Sequence, residues 1–246
     1  MKFIGIIPAR YQSSRFPGKP LVNIKGKPMI QWVYENAQKA LDRVFVATDD
    51  ERIFNAVKAF GGEVVSTLST HQSGTDRCAE AAGKIAEEYD FDVVINIQGD
   101  EPFIKPEQVE SIKSCFDDRE VEIATLVKKI ENSEELFNPN RPKVVIDRKQ
   151  NALYFSRSPI PFNRNEEDKA NWHLKNKCWA HIGMYAFRYE TLCELTKLEQ
   201  TPLELAECLE QLRWLESGYK IRTAETTVQT IGIDTPEDLE AALQLF

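Results

Sequence analysis

Three short segments hold the side chains best suited to chemistry. IIPARYQSSRFPGKPL (6–21) contains Arg10, Arg15 and Lys19 and no carboxylate, and Glu35 is the first acid of the chain. Pro17, Gly18 and Pro20 keep this stretch out of regular structure. Arginine grips phosphate oxygens in a bidentate way and lysine adds a compact point charge, so the segment suits a triphosphate. On charge alone a solvated basic loop explains it equally well. It is neither GxxxxGKS/T nor GxGxxG.

VVINIQGDEP (93–102) ends an apolar run in Gln98, Gly99, Asp100 and Glu101. Mg2+ takes one or two carboxylates together with substrate phosphate oxygens and water, which Asp100 fits. GD and EP also suit a plain surface turn. In TIGIDTPEDLEAAL (230–243), Thr235 and Asp238 form a capping box with Pro236 at the first helical position. Asp234 either assists that cap or, with Thr235 already capping, joins Asp100 as a second metal ligand.

Other signals are weaker. HQSGTDR (71–77) is a glycine-bearing loop with Arg77 entering a helix, suited to helix capping or to holding a base or an anion. Arg157 in YFSRSPIP and His181 in WAHIGMYAF lie near strands, where a lone histidine is usually structural. Glu210 and Gln211 flank the stripe Leu205, Leu209, Leu212 and read as the solvent face of a helix. For Asp49-Asp50, a cap for the helix from 51 is the favoured reading.

The elements that must position these residues follow from periodicity. FIGII (3–7), VFVAT (44–48), VVIN (93–96) and IATLV (123–127) read as buried strands. Segments 28–41, 51–62, 74–89 and 105–116 between or after them have helical spacing. This alternation predicts an α/β fold with a mostly parallel sheet covered on both faces, whose ligands collect at the carboxyl ends of the strands. From 143 the pattern changes: KVVID, ALYFSRSPIP and HIGMYAF read as strands without helices between them. The polar stretch 163–177 reads as an exposed excursion. We therefore expect one domain over 1–246 with a smaller β-rich lobe inserted at about 140–190. A helix is predicted over 201–218, opened by Thr201, Pro202 and Glu204 and ended by Gly218.

Composition narrows the function classes. With 31 basic against 39 acidic residues the formal net charge is -8, which argues against a general nucleic-acid binder and for a small anionic ligand met by a local basic segment. No apolar run approaches membrane-spanning length, and the start is too short for a signal peptide. The five cysteines are odd in number, without a CxxC pair, and fit a reduced cytoplasmic protein rather than a zinc site or disulfide framework.

PARYQSSRFPGKPL, ATDDERI, HQSGTDR, NIQGDEP, YFSRSPIP, HIGMYAF, LEQLRWLESG and GIDTPEDL, in that order, resemble the 3-deoxy-manno-octulosonate (Kdo) cytidylyltransferases, or CMP-Kdo synthetases. The resemblance runs from residue 4 to about 240, and the ordered set is specific where single motifs are not. It implies a three-layer, mostly parallel nucleotide-diphospho-sugar transferase fold and a cytoplasmic homodimer. The implied reaction transfers CMP from CTP to the anomeric hydroxyl of Kdo with release of pyrophosphate, for lipopolysaccharide biosynthesis. Carried over by resemblance, Arg10, Arg15 and Lys19 hold the triphosphate, with Ala9, Ser73 and Gly74 as further nucleotide contacts. Asp100 and Asp234 hold Mg2+. Arg77, Gln98, Arg157, His181, Tyr185, Glu210 and Gln211 form the sugar-acid pocket, and Arg10, Lys19, Asp100 and Asp234 are the catalytic set. Segment 163–177 matches no motif of the family; Phe16 and Phe187 depart from common residues and are expected to be neutral.

The chemistry agrees with this: charge builds on phosphate oxygens as pyrophosphate leaves, and positioned cations stabilise it. Competing readings are a cytidylyltransferase for an N-acylneuraminate or 8-amino-Kdo, a metal-dependent glycosyltransferase, and a non-catalytic nucleotide-binding protein. LEQLRWLESG and HIGMYAF favour the Kdo type over the neuraminate type.

Overall fold

A computed structural model describes residues 1–12, 16–228 and 232–244. Arg15 therefore lies outside the described residues. The chain divides into two compact units, one from the described residues of 1–110, 186–196 and 230–246, the other from those of 111–185 and 197–229.

The first unit begins with β1 (Phe3–Ala9), a short hairpin of β2 (Asn23–Ile24) and β3 (Lys27–Pro28), and α1 (Met29–Ala37). β4 (Val44–Thr48), α2 (Glu51–Ala59), β5 (Glu63–Ser66), α3 (Gly74–Ala86) and β6 (Val93–Asn96) follow, and α4 (Pro106–Ser114) leads out of it. Strands β6, β1, β4 and β5 lie side by side in that order, all parallel. Ile4, Ile6, Ile7 and Ala9 are buried on both faces of β1, so helices must cover both, and α1 and α3 pack on this strand. The register aligns Ala9 with Thr48 and Ile6 with Asn96, which brings the carboxyl ends of the strands to one edge.

The helices of this unit start where local chemistry fixes them. Asp50 caps α2 by accepting from the Arg52 N–H at 2.9 Å. Ser73 and Asp76 cap each other's backbone N–H at the start of α3.

The second unit contains β7 (Ile123–Lys129), α5 (Ser133–Phe137), β8 (Lys143–Ile146), β9 (Ala152–Ser156), α6 (Trp172–Lys175) and the start of β10 (Trp179–Arg188). Strand β10 runs on into α7 (Tyr189–Leu195) of the first unit. α8 (Pro202–Glu207), α9 (Gln211–Glu216) and β11 (Ile221–Glu225) complete the second unit, and α10 (Pro236–Leu243) belongs to the first. Here β11 pairs parallel with β7, while β8 pairs antiparallel with β9 and with the first residues of β10. The antiparallel pairing matches the β-rich character expected from 143 onward.

Two expectations need correction. The single helix over 201–218 is two helices, because Cys208 adopts φ 50 and the chain turns there. That turn buries Leu209 and lets Arg213 grip the Glu204 carboxylate with two hydrogen bonds of 2.7 and 2.6 Å. Of the expected cap, Glu204 accepts from the Thr201 N–H at 3.4 Å, and Gly218 takes a positive φ where the sequence ends the helix. Segment 163–177 is no simple excursion either: Trp172 is buried with Ile130, Leu136, Cys178 and Ala180. One tryptophan in a polar run leaves no periodicity for a sequence reading to find.

Candidate active site

The carboxyl edge of the first unit opens into a cleft of about 260 Å³. It is lined by Pro8, Ala9 and Arg10 after β1, Lys19 and Pro20, the loop His71–Gly74, Arg77, the turn Gln98–Asp100, and Asp234. Every nucleotide and metal residue expected from the sequence that lies among the described residues lines this one cleft.

Its centre is an ion cluster. The Lys19 ammonium donates to the Asp100 carboxylate at 2.9 Å and to the Asp234 carboxylate at 3.0 Å. Lysine and Asp234 are 215 residues apart, so tertiary structure must deliver both. Gly18, at φ 74, starts the short turn of Lys19–Leu21 and closes the loop by donating its N–H to the Tyr11 carbonyl. Asp234 is brought in by the Ile233 N–H, which donates to the Asp100 carbonyl at 2.9 Å. Ile233 itself is anchored among Ile24, Met29 and Ala242. Thr235 caps α10 by accepting from the Asp238 N–H, so the Asp234 side chain is not the cap.

The turn after β6 approaches β1 closely. A Cβ on Gly99 would lie 2.9 Å from the Pro8 carbonyl oxygen, so only glycine lets the carboxylate turn sit against the end of β1.

The donor set fits a hard divalent ion. Two carboxylates already flank one cationic nitrogen, and oxygen ligands of this kind, completed by phosphate oxygens and water, are what Mg2+ takes. Among the described residues no group of three or more His, Cys, Asp or Glu side chains is arranged for a metal.

The loop 67–73 is held by Glu80. Its carboxylate accepts from the Leu68 N–H at 2.8 Å, pairs with Lys84 at 2.7 Å and makes a very short contact with His71. Burial alone would raise the Glu80 pKa, but Lys84, His71 and the Leu68 N–H together bring it from 4.5 to about 2. Neither His71 nor Glu80 stood out in the sequence as an anchor, since their contact arises only once α3 is folded.

Arg77 and Gln98, expected in the sugar-acid pocket, line the same cleft as the nucleotide residues. The Arg77 guanidinium is buried and pairs with Asp49 at 2.9 Å and the Thr67 hydroxyl at 2.6 Å. Asp49 thus has a structural partner, and its neighbour Asp50 is the helix cap.

The remaining sugar-acid residues lie in the second unit. His181 and Tyr185 on β10 stand with ring centroids 5.2 Å apart, with Phe155 5.1 Å from His181 and Trp214 5.1 Å from Tyr185. Burial pushes the His181 pKa down to about 3, so the imidazole is neutral at physiological pH. Burial, and then the negative charge of Glu210, raises the Tyr185 pKa. Gln211 is buried rather than on a solvent face, and its amide nitrogen has no hydrogen-bond partner among the described residues. A buried donor of this kind is costly unless something accepts from it. Arg157 donates to three carbonyls, those of Glu207 at 2.7 Å, Pro139 at 3.0 Å and Cys208 at 3.1 Å, and so ties the chain before α9 to the end of β9.

A parallel sheet with cations and paired carboxylates at its carboxyl edge defines a nucleotidyltransferase. The cytidylyltransferase family model matches residues 4–221. Proteins named 3-deoxy-manno-octulosonate cytidylyltransferase from Parabacteroides distasonis and Bacteroides thetaiotaomicron are 60% and 59% identical to it. These alignments cover 99% and 98% of this chain and 97% of each relative. A solved CMP:2-keto-3-deoxy-manno-octonic acid synthetase complexed with CTP superposes with a TM-score of 0.90 at 44% identity, covering 100% of this chain and 98% of that one. The chain belongs to the 3-deoxy-manno-octulosonate cytidylyltransferase family.

Proposed function

We propose that this protein transfers CMP from CTP to the anomeric hydroxyl of Kdo, releasing pyrophosphate and supplying CMP-Kdo for lipopolysaccharide biosynthesis. The observation that carries this is the Lys19–Asp100–Asp234 cluster at the carboxyl edge of the parallel sheet. We further read the protein as a cytoplasmic homodimer. No helix among its described residues is long and apolar enough to cross a membrane.

The anomeric oxygen forms a bond to the α-phosphorus as the bond from that phosphorus to the bridging oxygen breaks. The hydroxyl proton is released to solvent, and pyrophosphate departs with the bonding pair. Arg10 and Lys19 line the cleft and hold phosphate oxygens as negative charge moves onto the leaving group. Arg15 is assigned to the same task from the sequence. Asp100 and Asp234 would hold Mg2+, which when bound lowers the pKa of the attacking hydroxyl and neutralises phosphate charge. Ala9, Ser73 and Gly74 contact the nucleotide. Gln98, Arg77, His181, Tyr185, Glu210, Gln211 and Arg157 are assigned to the sugar acid, and the unpartnered Gln211 amide supports this for the second unit.

The test is pyrophosphate release from CTP and Mg2+ with Kdo, 8-amino-Kdo and N-acetylneuraminate compared side by side. Release with Kdo is expected. Preference for the amino sugar would move the specificity but keep the chemistry. Silence with all three in protein that binds CTP would overturn the reading.

A further inference from the structure

We propose that the Thr125 hydroxyl is a positioning group that fixes His181 as its Nε2–H tautomer, leaving Nδ1 as a hydrogen-bond acceptor for a sugar hydroxyl. The second half rests on the assignment of His181 to the sugar acid made above.

Thr125 lies on β7 and is completely buried. Its Oγ1 is 3.0 Å from His181 Nε2, 2.9 Å from the Met184 carbonyl oxygen and 3.2 Å from the Ile182 carbonyl oxygen. A threonine hydroxyl has one hydrogen and two lone pairs, and a carbonyl oxygen can only accept. If the hydroxyl donated to His181, the Met184 oxygen would face a second oxygen at 2.9 Å with no hydrogen between them. The hydrogen therefore goes to a carbonyl, and Nε2 must bring its own. A lone pair on Oγ1 accepts it.

A neutral imidazole carries one N–H, so protonation at Nε2 leaves Nδ1 with a lone pair. His181 is partly exposed, unlike Thr125, and Nδ1 has no hydrogen-bond partner among the described residues. The ring edge is held by Phe155, at an interplanar angle of 79°, and by Tyr185. Desolvation by the packed rings keeps the imidazole weakly basic, so Nδ1 stays an acceptor across the physiological range. A substrate rich in hydroxyl groups supplies the donor that this nitrogen requires.

The chain has three histidines, so the imidazole nitrogens of His181 are assignable in 15N-labelled protein by comparison with His181→Gln. Long-range 1H–15N spectra are expected to show the Nε2–H tautomer in the wild type. Thr125→Val, which keeps the shape and removes the hydroxyl, should shift the ring toward the Nδ1–H form. It should also raise KM for Kdo roughly tenfold with little change in kcat, as loss of one neutral hydrogen bond would do. Thr125→Ser should restore both. A wild-type ring protonated at Nδ1 would overturn the proposal without recourse to any variant, as would an unaltered tautomer in folded Thr125→Val. A changed tautomer with KM for Kdo unmoved would overturn the sugar-facing role of His181 alone.

Discussion

At the scale of single residues, Lys19 is the informative side chain. Its ammonium stands between two carboxylates that would otherwise repel each other and leaves the cluster one net negative charge, which an added cation would offset. Asp100→Asn removes half of that pair while keeping its size and shape. We expect kcat to fall about 10²–10³-fold, the effect of losing one preorganised electrostatic group, while the Kd for CTP measured by calorimetry changes less than tenfold. Equal losses in binding and turnover would show that Asp100 is structural. Much of this cluster was legible in the sequence, because Asp100 follows an apolar strand and Lys19 sits in an acid-free stretch. Glu80 and Thr125 were not legible. One is an ordinary acid on a helix and the other a threonine within a strand, and only partners brought by folding give them a task.

At the scale of elements, α3 governs a loop that lines the cleft at the carboxyl edge of the sheet. Glu80 on this helix ties down Leu68 and His71 at the two ends of the span. Its folded-state pKa of about 2 is below the ordinary 4.5, so the stability it supplies is fully present above pH 4.5. That stability is lost as pH falls through the window toward 2. Denaturant melts from pH 6 to pH 2 should therefore show a steeper loss for the wild type than for Glu80→Gln, whose group does not titrate. Parallel pH dependences in the two proteins would disprove the linkage. The division of the predicted helix 201–218 belongs to this scale too. Amphipathic periodicity ran through Cys208 unbroken, and the positive φ there is set by the burial of Leu209 and the Glu204–Arg213 pair.

At the scale of the molecule, a net charge of -8 disfavours the approach of a nucleotide anion, and the acid-free N-terminal stretch counters this at one place. Binding there should stabilise the folded chain by mass action. With Mg2+ present, CTP at 100 times its Kd adds about 2.7 kcal/mol, which for a chain of this size raises Tm by roughly 5–10 °C. Differential scanning calorimetry of the wild type with and without the nucleotide reads this directly. An unchanged Tm at saturating CTP would sink the placement of the nucleotide in this cleft. The same scan on Asp100→Asn should retain most of the shift seen without Mg2+ and lose the part that the metal adds.

The sequence by itself determined the class of fold, the segments that bear the chemistry and the family, because β-branched runs, caps and motif order are local properties. It also placed the basic loop and the carboxylate turn at strand ends, where a parallel sheet presents ligands. Tertiary structure alone decided which residues share a site. Arg77 turns inward to Asp49, Arg157 binds three carbonyls, Gln211 is buried, and Thr125 reaches the ring of His181. The physical reason is that a polar side chain takes its role from the partners within about 3 Å of it, and those partners come from distant parts of the chain.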